Sequence, residues 1–166
     1  MRRDKVAAIL RAHRCSAYVS PEKNGCVIVA EAMSDTHATG AIAAIARILS
    51  TGPRAIVLAI GNVDDDDLFL GLYKAGEELC KYSNYADPDD GTRRLAAERI
   101  CTSLDMPQAI DAVTTILSGQ YTFAIERHTA LVDALQLSDF AISFGYRYVE
   151  RGELPTSLKI IGIKYD

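Results

Sequence analysis

Four consecutive aspartates, Asp64, Asp65, Asp66 and Asp67, are the residues whose type and spacing come closest to chemistry. They lie in a stretch, residues 61–90, that also holds Glu77, Glu78, Asp87, Asp89 and Asp90 against only Lys74 and Lys81. Nine carboxylates against two lysines give it a charge of −7 within a chain of net −4, so the remainder is positive. Such polarity has two uses: carboxylates can ligate a hard divalent cation, and a negative surface can steer a basic partner by raising encounter rates. The plainer alternative is a solvated hairpin whose charges deter aggregation. A calcium loop needs oxygen ligands at positions 1, 3 and 5, Gly at 6 and Glu at 12. Counted from Asp64, positions 5 and 6 are Leu68 and Phe69, and in Asp87-Pro-Asp-Asp-Gly the glycine comes one residue early. No metal site is expected.

Catalysis by a nucleophile asks for a base and an orienting group beside it. The chain has three histidines, His13, His37 and His128. Asp35-Thr36-His37 brings a carboxylate near an imidazole, but where a helix cap is expected. Glu126-Arg127-His128 places His128 on the apolar side of a helix, the usual setting of a hydrogen-bonded core histidine. There is no G-x-S-x-G, H-E-x-x-H or P-loop pattern. Cys15, Cys26, Cys80 and Cys101 form no C-x-x-C pair and have no histidine at zinc-finger spacing, so free thiols are expected, with no local activator at Cys26 or Cys80. The expectation is no catalytic residue and no cofactor. The alternative is an enzyme of unrecognised type that uses the 64–67 loop with a divalent ion and His37 or His128.

Tyrosines are the other candidates. Tyr82, Tyr85, Tyr121, Tyr146 and Tyr148 fall in the second half, and tyrosine suits interfaces because it joins apolar area to a hydroxyl. Tyr82, Tyr85, Tyr146 and Tyr148, with Asp64 to Asp67, Glu77 and Glu78, are therefore the expected partner-binding residues; packing along a sheet edge is the competing role.

The elements that must position these residues follow from periodicity. Residues 3–12 read as a helix with Val6, Ile9 and Leu10 on one side. Residues 17–20 and 26–32 read as a hairpin turned by Asn24-Gly25. Ile42, Ile45, Ala46 and Leu49 recur at i, i+3, i+4 and i+7, which predicts an amphipathic helix over 37–50 capped by Asp35 or Thr36 and ended by Gly52-Pro53. The apolar run Ala55 to Ile60 predicts a strand buried on both faces at the centre of a sheet. Residues 68–73 and 77–82 read as a second hairpin. Helices are expected from 92, from Pro107 and over 126–137; residues 144–150 fit either a helical turn or a strand, and 158–164 reads as a last strand.

Strand-rich 15–85 followed by helix-rich 92–152 predicts one α+β domain: a mostly antiparallel sheet, an amphipathic helix packed on it, and a helical C-terminal half. At 166 residues, with 49% hydrophobic and 24% charged, the chain can bury a sizeable core without disulfide or metal. The acidic balance disfavours nucleic acid. No apolar run reaches membrane-spanning length and the N-terminus lacks a signal-peptide pattern, so a cytoplasmic protein without membrane contact is expected.

Asn24-Gly25-Cys26-Val27, Leu72-Tyr73-Lys74-Ala75-Gly76-Glu77, Glu126-Arg127-His128 and Phe144-Gly145-Tyr146-Arg147-Tyr148 through Gly152-Glu153-Leu154-Pro155 together resemble a group of small bacterial α+β proteins. The resemblance runs in order over most of the chain and implies a bacterial cytoplasmic domain, with no activity to carry over. Where those proteins have Asp-Ser-Asp, this chain has an unbroken aspartate run. The function expected from the residues is a non-enzymatic binding protein that presents an acidic face to a basic protein, as immunity proteins do when they neutralise a toxin.

Overall fold

The computed structural model describes residues 1–36, 39–142, 145–153 and 159–165, the side chains of Thr36 and Thr39 excepted. Helix α1 (Arg3–Ala12) buries Val6, Ala7 and Leu10, and carries Asp4 in its first turn and Arg11 in its last, which complements the helix dipole. Strands β1 (Ala17–Val19) and β2 (Val29–Glu31) pair antiparallel. Between them Asn24 (φ 52°) and Gly25 (φ 74°) take the two left-handed positions of a tight reversal, closed by the Lys23–Cys26 bridge. A short 3₁₀ turn, Met33–Thr36, leads to helix α2 (Thr39–Ser50).

Strands β3 (Ile56–Val63), β4 (Asp67–Lys74) and β5 (Glu77–Ser83) then form an antiparallel meander, with Ala75 (φ 53°) and Gly76 (φ 80°) turning the second hairpin. Helix α3 (Asp90–Ser103) is capped by Asp89, which accepts from Thr92 N–H at 2.9 Å. Pro107 opens a 3₁₀ turn into α4 (Ile110–Ser118); α5 (Ala124–Ala134), the short α6 (Tyr146–Glu150) and β6 (Ile161–Ile163) follow. Strand β6 returns to pair antiparallel with β1. The result is a single α+β domain with two antiparallel three-stranded sheets, ordered β2-β1-β6 and β3-β4-β5, and a helical C-terminal half.

Packing fixes how the sheets lie. Leu68, Leu70 and Leu72 of β4 face Ala97, Ile100, Val113, Leu117, Leu131 and Val132 of α3, α4 and α5 in one core. On the opposite face of that sheet, Ala59 and Tyr73 meet Ala46 of α2. Leu49, further along α2, joins Val6 and Leu10 of α1 against Ala17, Val19 and Ile163 of the other sheet. The reverse face of that sheet holds Tyr18 and Ala30 against Phe140, Tyr146 and Val149, with the Tyr18 and Tyr146 rings 5.0 Å apart. Helix α2 thus runs under both sheets and joins them.

One expectation is corrected. The apolar strand β3 is an edge strand; β4 is central. Its two faces are indeed covered, Ile56, Leu58 and Ile60 toward α3–α5 and Val57 and Ala59 toward α2, but of its eight residues only Ala59 is fully buried. An unbroken apolar run reports the faces of a strand and says nothing of its hydrogen-bonding edges. Asp35 reaches a distant helix, its Oδ2 accepting from Arg147 N–H of α6 at 2.8 Å, while the cap expected of it or Thr36 at residue 37 lies outside the described residues. His37, and the start of the helix expected at residue 37, lie outside the described residues, as do Phe144 and the first residue of the strand expected over 158–164. Residues 146–150 resolve as helix.

Candidate functional site

A cleft of about 860 Å³ opens between the two sheets, within the size range of ligand pockets. Its lining takes in every residue from Asn24 to Glu31 and every residue from Ile56 to Asp65. A cavity over a sheet face would touch alternate residues; an unbroken run means that it follows the strands' edges. The outer edges of β2 and β3 therefore front the same space. Ile42, Ile45 and Leu49 of α2 line it from one side, and His128, Leu137, Phe140, Tyr146 and Tyr148 also contribute.

The register fixes which backbone groups of β2 face outward. Ala32 N–H donates to Ser16 C=O and Ser20 N–H to Ile28 C=O, so the pairs 16/32, 18/30 and 20/28 exchange hydrogen bonds. Alternation then turns the N–H and C=O of Val29 and Glu31 away from β1. Among the described residues strand β3 likewise pairs only with β4 and so presents one row of backbone groups on its other side.

One polar pair lies in the apolar lining. Asn62, near the end of β3, reaches His128 on α5, with its amide 3.4 Å from Nδ1. His128 is 6% exposed, and burial pushes its pKa down to about 4, which keeps the ring neutral. Among the described residues, Nε2 of His128 and Oδ1 of Asn62 are buried with no hydrogen-bond partner. If the amide NH₂ donates to Nδ1, the ring proton sits on Nε2 and leaves a donor there, with an acceptor on Asn62. The opposite amide orientation leaves a donor on Asn62 and an acceptor on the ring. Either way one donor and one acceptor are left unmet.

The charged lining is mostly acidic: Asp35, Asp64, Asp65 and the buried Glu31, against the single guanidinium of Arg54 among the described residues. Glu31 is held by Ser34, whose N–H and hydroxyl both donate to Oε2 at 2.9 Å. Asp64 and Asp65 form the β3–β4 turn, both with positive φ. Asp65 also accepts from α5, its carbonyl from Ala124 N–H at 2.7 Å and its Oδ1 from Ile125 N–H at 3.1 Å. The acidic turn is thus the cap of the helix that carries His128.

The residues expected to meet a partner do not form one face. Asp67 accepts from Ser83 Oγ at 2.8 Å and from Tyr85 N–H at 3.1 Å, which ties the turn to β5. Glu77 and Glu78 lie at the far end of the β4–β5 hairpin, about 23 Å along the strand at ~3.3 Å per residue. There Glu78 accepts from Tyr73 OH at 2.9 Å and faces Arg47 at 3.8 Å; burial and Glu78 push the Tyr73 phenol up to about 12. Tyr82 is a core residue, its hydroxyl donating to Leu117 C=O at 2.9 Å, because an inward position on β5 faces α3–α5. Tyr146 is buried on Tyr18. Tyr85 is 87% exposed beside the aspartate turn, and Tyr148 is partly exposed under Arg151. Of the expected residues, Asp64, Asp65, Tyr146 and Tyr148 line the cleft.

The four cysteines carry free thiols, and burial pushes all four pKa values up. Among the described residues no three His, Cys, Asp or Glu side chains come together as a metal site, and no helix is long and apolar enough to cross a membrane. Sequence reasoning missed Asn62, whose only signal was a polar residue at the end of an apolar run, and missed the cleft itself. Comparison with protein-family models, curated proteins and solved structures returns no match.

Proposed function

We propose that this is a non-enzymatic binding protein that receives a basic segment of a protein partner in the cleft between its two sheets. The observation that carries this reading is the pairing of an apolar trough, framed by β2 and β3, with a lining that holds, among the described residues, Asp35, Asp64, Asp65 and the buried Glu31 against one guanidinium. Apolar walls supply affinity, and acidic lining groups select and steer a cationic ligand. The immunity-type role, neutralising a basic toxin, is the specific case of this reading and rests on the same charge match. Against catalysis stands His128: with its pKa pushed down to about 4 it is a weak base at neutral pH, and among the described residues its hydrogen bonding includes no carboxylate to orient it. The carboxylates of Asp65 and Asp67 are engaged with backbone and hydroxyl donors, so no observation favours the 64–67 loop as a metal-dependent active site.

Selection from a phage-displayed library of random ten-residue peptides tests the reading. Enriched sequences are expected to be rich in Lys and Arg, and as free peptides to bind the protein at least about tenfold more weakly once Ile45→Lys puts a cation into the cleft. Tyr148→Ala, which removes a partly exposed ring, serves as a second variant that should weaken binding without disturbing the fold. No enrichment, acidic consensus peptides, or binding indifferent to both variants would overturn the proposal.

A further inference from the structure

We propose that the bound segment enters as a β-strand between β2 and β3 and joins the two sheets into one of seven strands; this rests on the cleft reading above and specifies its mode. Three observations converge. First, the lining follows two strand edges residue by residue, so an occupant of the trough faces backbone groups on both sides. The register turns Val29 and Glu31 of β2 toward it, and among the described residues β3 has a pairing partner only in β4. Second, the cleft is roofed and floored like the interior of a sheet: α2 packs below both sheets, and Leu137, Phe140 and His128 line the trough as well. An extended chain laid there would have its side chains directed alternately to these two layers.

Third, the stretches of β2 and β3 that front the cleft are largely apolar. The outer β5 edge makes the contrast: it bears Glu77, Glu78 and Lys81, and Arg99 donates to Leu79 C=O there, the charged and covered edge that prevents strand addition. The β2 and β3 edges inside the cleft carry Val29, Val57, Leu58 and Ile60 instead.

A strand inserted between two edges uses every one of its central N–H and C=O groups, alternate residues bonding to opposite neighbours. The test takes a free peptide obtained in the selection above and replaces each central residue in turn by its N-methyl form. Insertion predicts that every central N-methylation weakens binding by about tenfold or more, since each leaves a buried acceptor unpaired. In the complex, hydrogen exchange of the Val29 and Glu31 amides is expected to slow by about tenfold or more, while that of Ala30, already bonded to Tyr18, stays unchanged. Loss at alternate residues only would mean addition to one edge, and tolerance at all of them would mean side-chain binding; both outcomes overturn strand insertion while leaving a cleft-bound peptide intact. Absence of any binding peptide would instead have removed the underlying reading.

Discussion

At the scale of single residues, His128 is the group whose environment has the most measurable consequence. Its imidazole titrates near 6.5 when exposed and near 4 when folded, because burial disfavours the cation. Between those values the unfolded chain binds a proton that the folded chain does not. Its contribution is therefore fully present above about pH 6.5 and is lost as pH falls toward 4, by about 3 kcal/mol in all. Urea midpoints measured between pH 7 and 4.5 should fall for the native chain and fall less for His128→Gln; parallel curves would show that His128 is not the group responsible. Asp65 and Asp66 differ just as sharply despite their adjacency. Asp65 caps α5, so Asp65→Ala should cost about 1 kcal/mol, whereas Asp66→Ala, at an exposed carboxylate, should stay within about 0.5 kcal/mol. Equal urea midpoints for the two variants would contradict the cap.

At the scale of elements, α2 divides its apolar side between core and cleft. Leu49 is 5% exposed and touches both α1 and the β1 sheet, so Leu49→Ala should cost roughly 2–5 kcal/mol. Ile45, only half-buried and lining the cleft, should cost less than half as much on truncation, because the site was never closed. Denaturant unfolding of both variants decides this, and a larger loss at Ile45 would mean that the cleft is a packed core. Gly61 of β3 leaves room for a side chain of α2: a methyl group there would stand 2.6 Å from Ile42 Cδ1. Gly61→Ala should destabilise by about 1 kcal/mol and should be partly rescued by Ile42→Val, a coupling that a double-mutant cycle reads directly.

For the whole molecule, the acidic residues serve two separate ends of the β3-β4-β5 sheet instead of one continuous face. The turn at 64–67 clamps α5 and β5, and the Glu78 end clamps Arg47 of α2 through Tyr73. Because the carboxylates of Asp65 and Asp67 are engaged with hydrogen-bond donors of the chain, addition of calcium or of chelator should leave the melting temperature unchanged; a shift of several degrees would reveal a bound ion. Association of a basic peptide with the cleft should slow as salt rises from 20 to about 200 mM, since screening acts over ~8 Å near physiological ionic strength, and a salt-independent rate would assign affinity to the apolar walls alone.

Local patterns determined most of the elements. Asn24-Gly25 turns one hairpin because both residues tolerate positive φ, Gly76 supplies that freedom in the other, and the i, i+3, i+4 spacing of Ile42, Ile45, Ala46 and Leu49 makes a helix wherever it docks. These are properties of neighbouring residues, so they were legible in the chain. Strand order was not: β3 reads the same whether it is central or at an edge, since only pairing across space distinguishes the two. Nor was the contact of Asp35 with a helix 112 residues away, or the meeting of Asn62 with His128 across 66. The cleft belongs wholly to tertiary structure, because it is defined by two strands that do not pair with each other, and no local sequence feature encodes a gap.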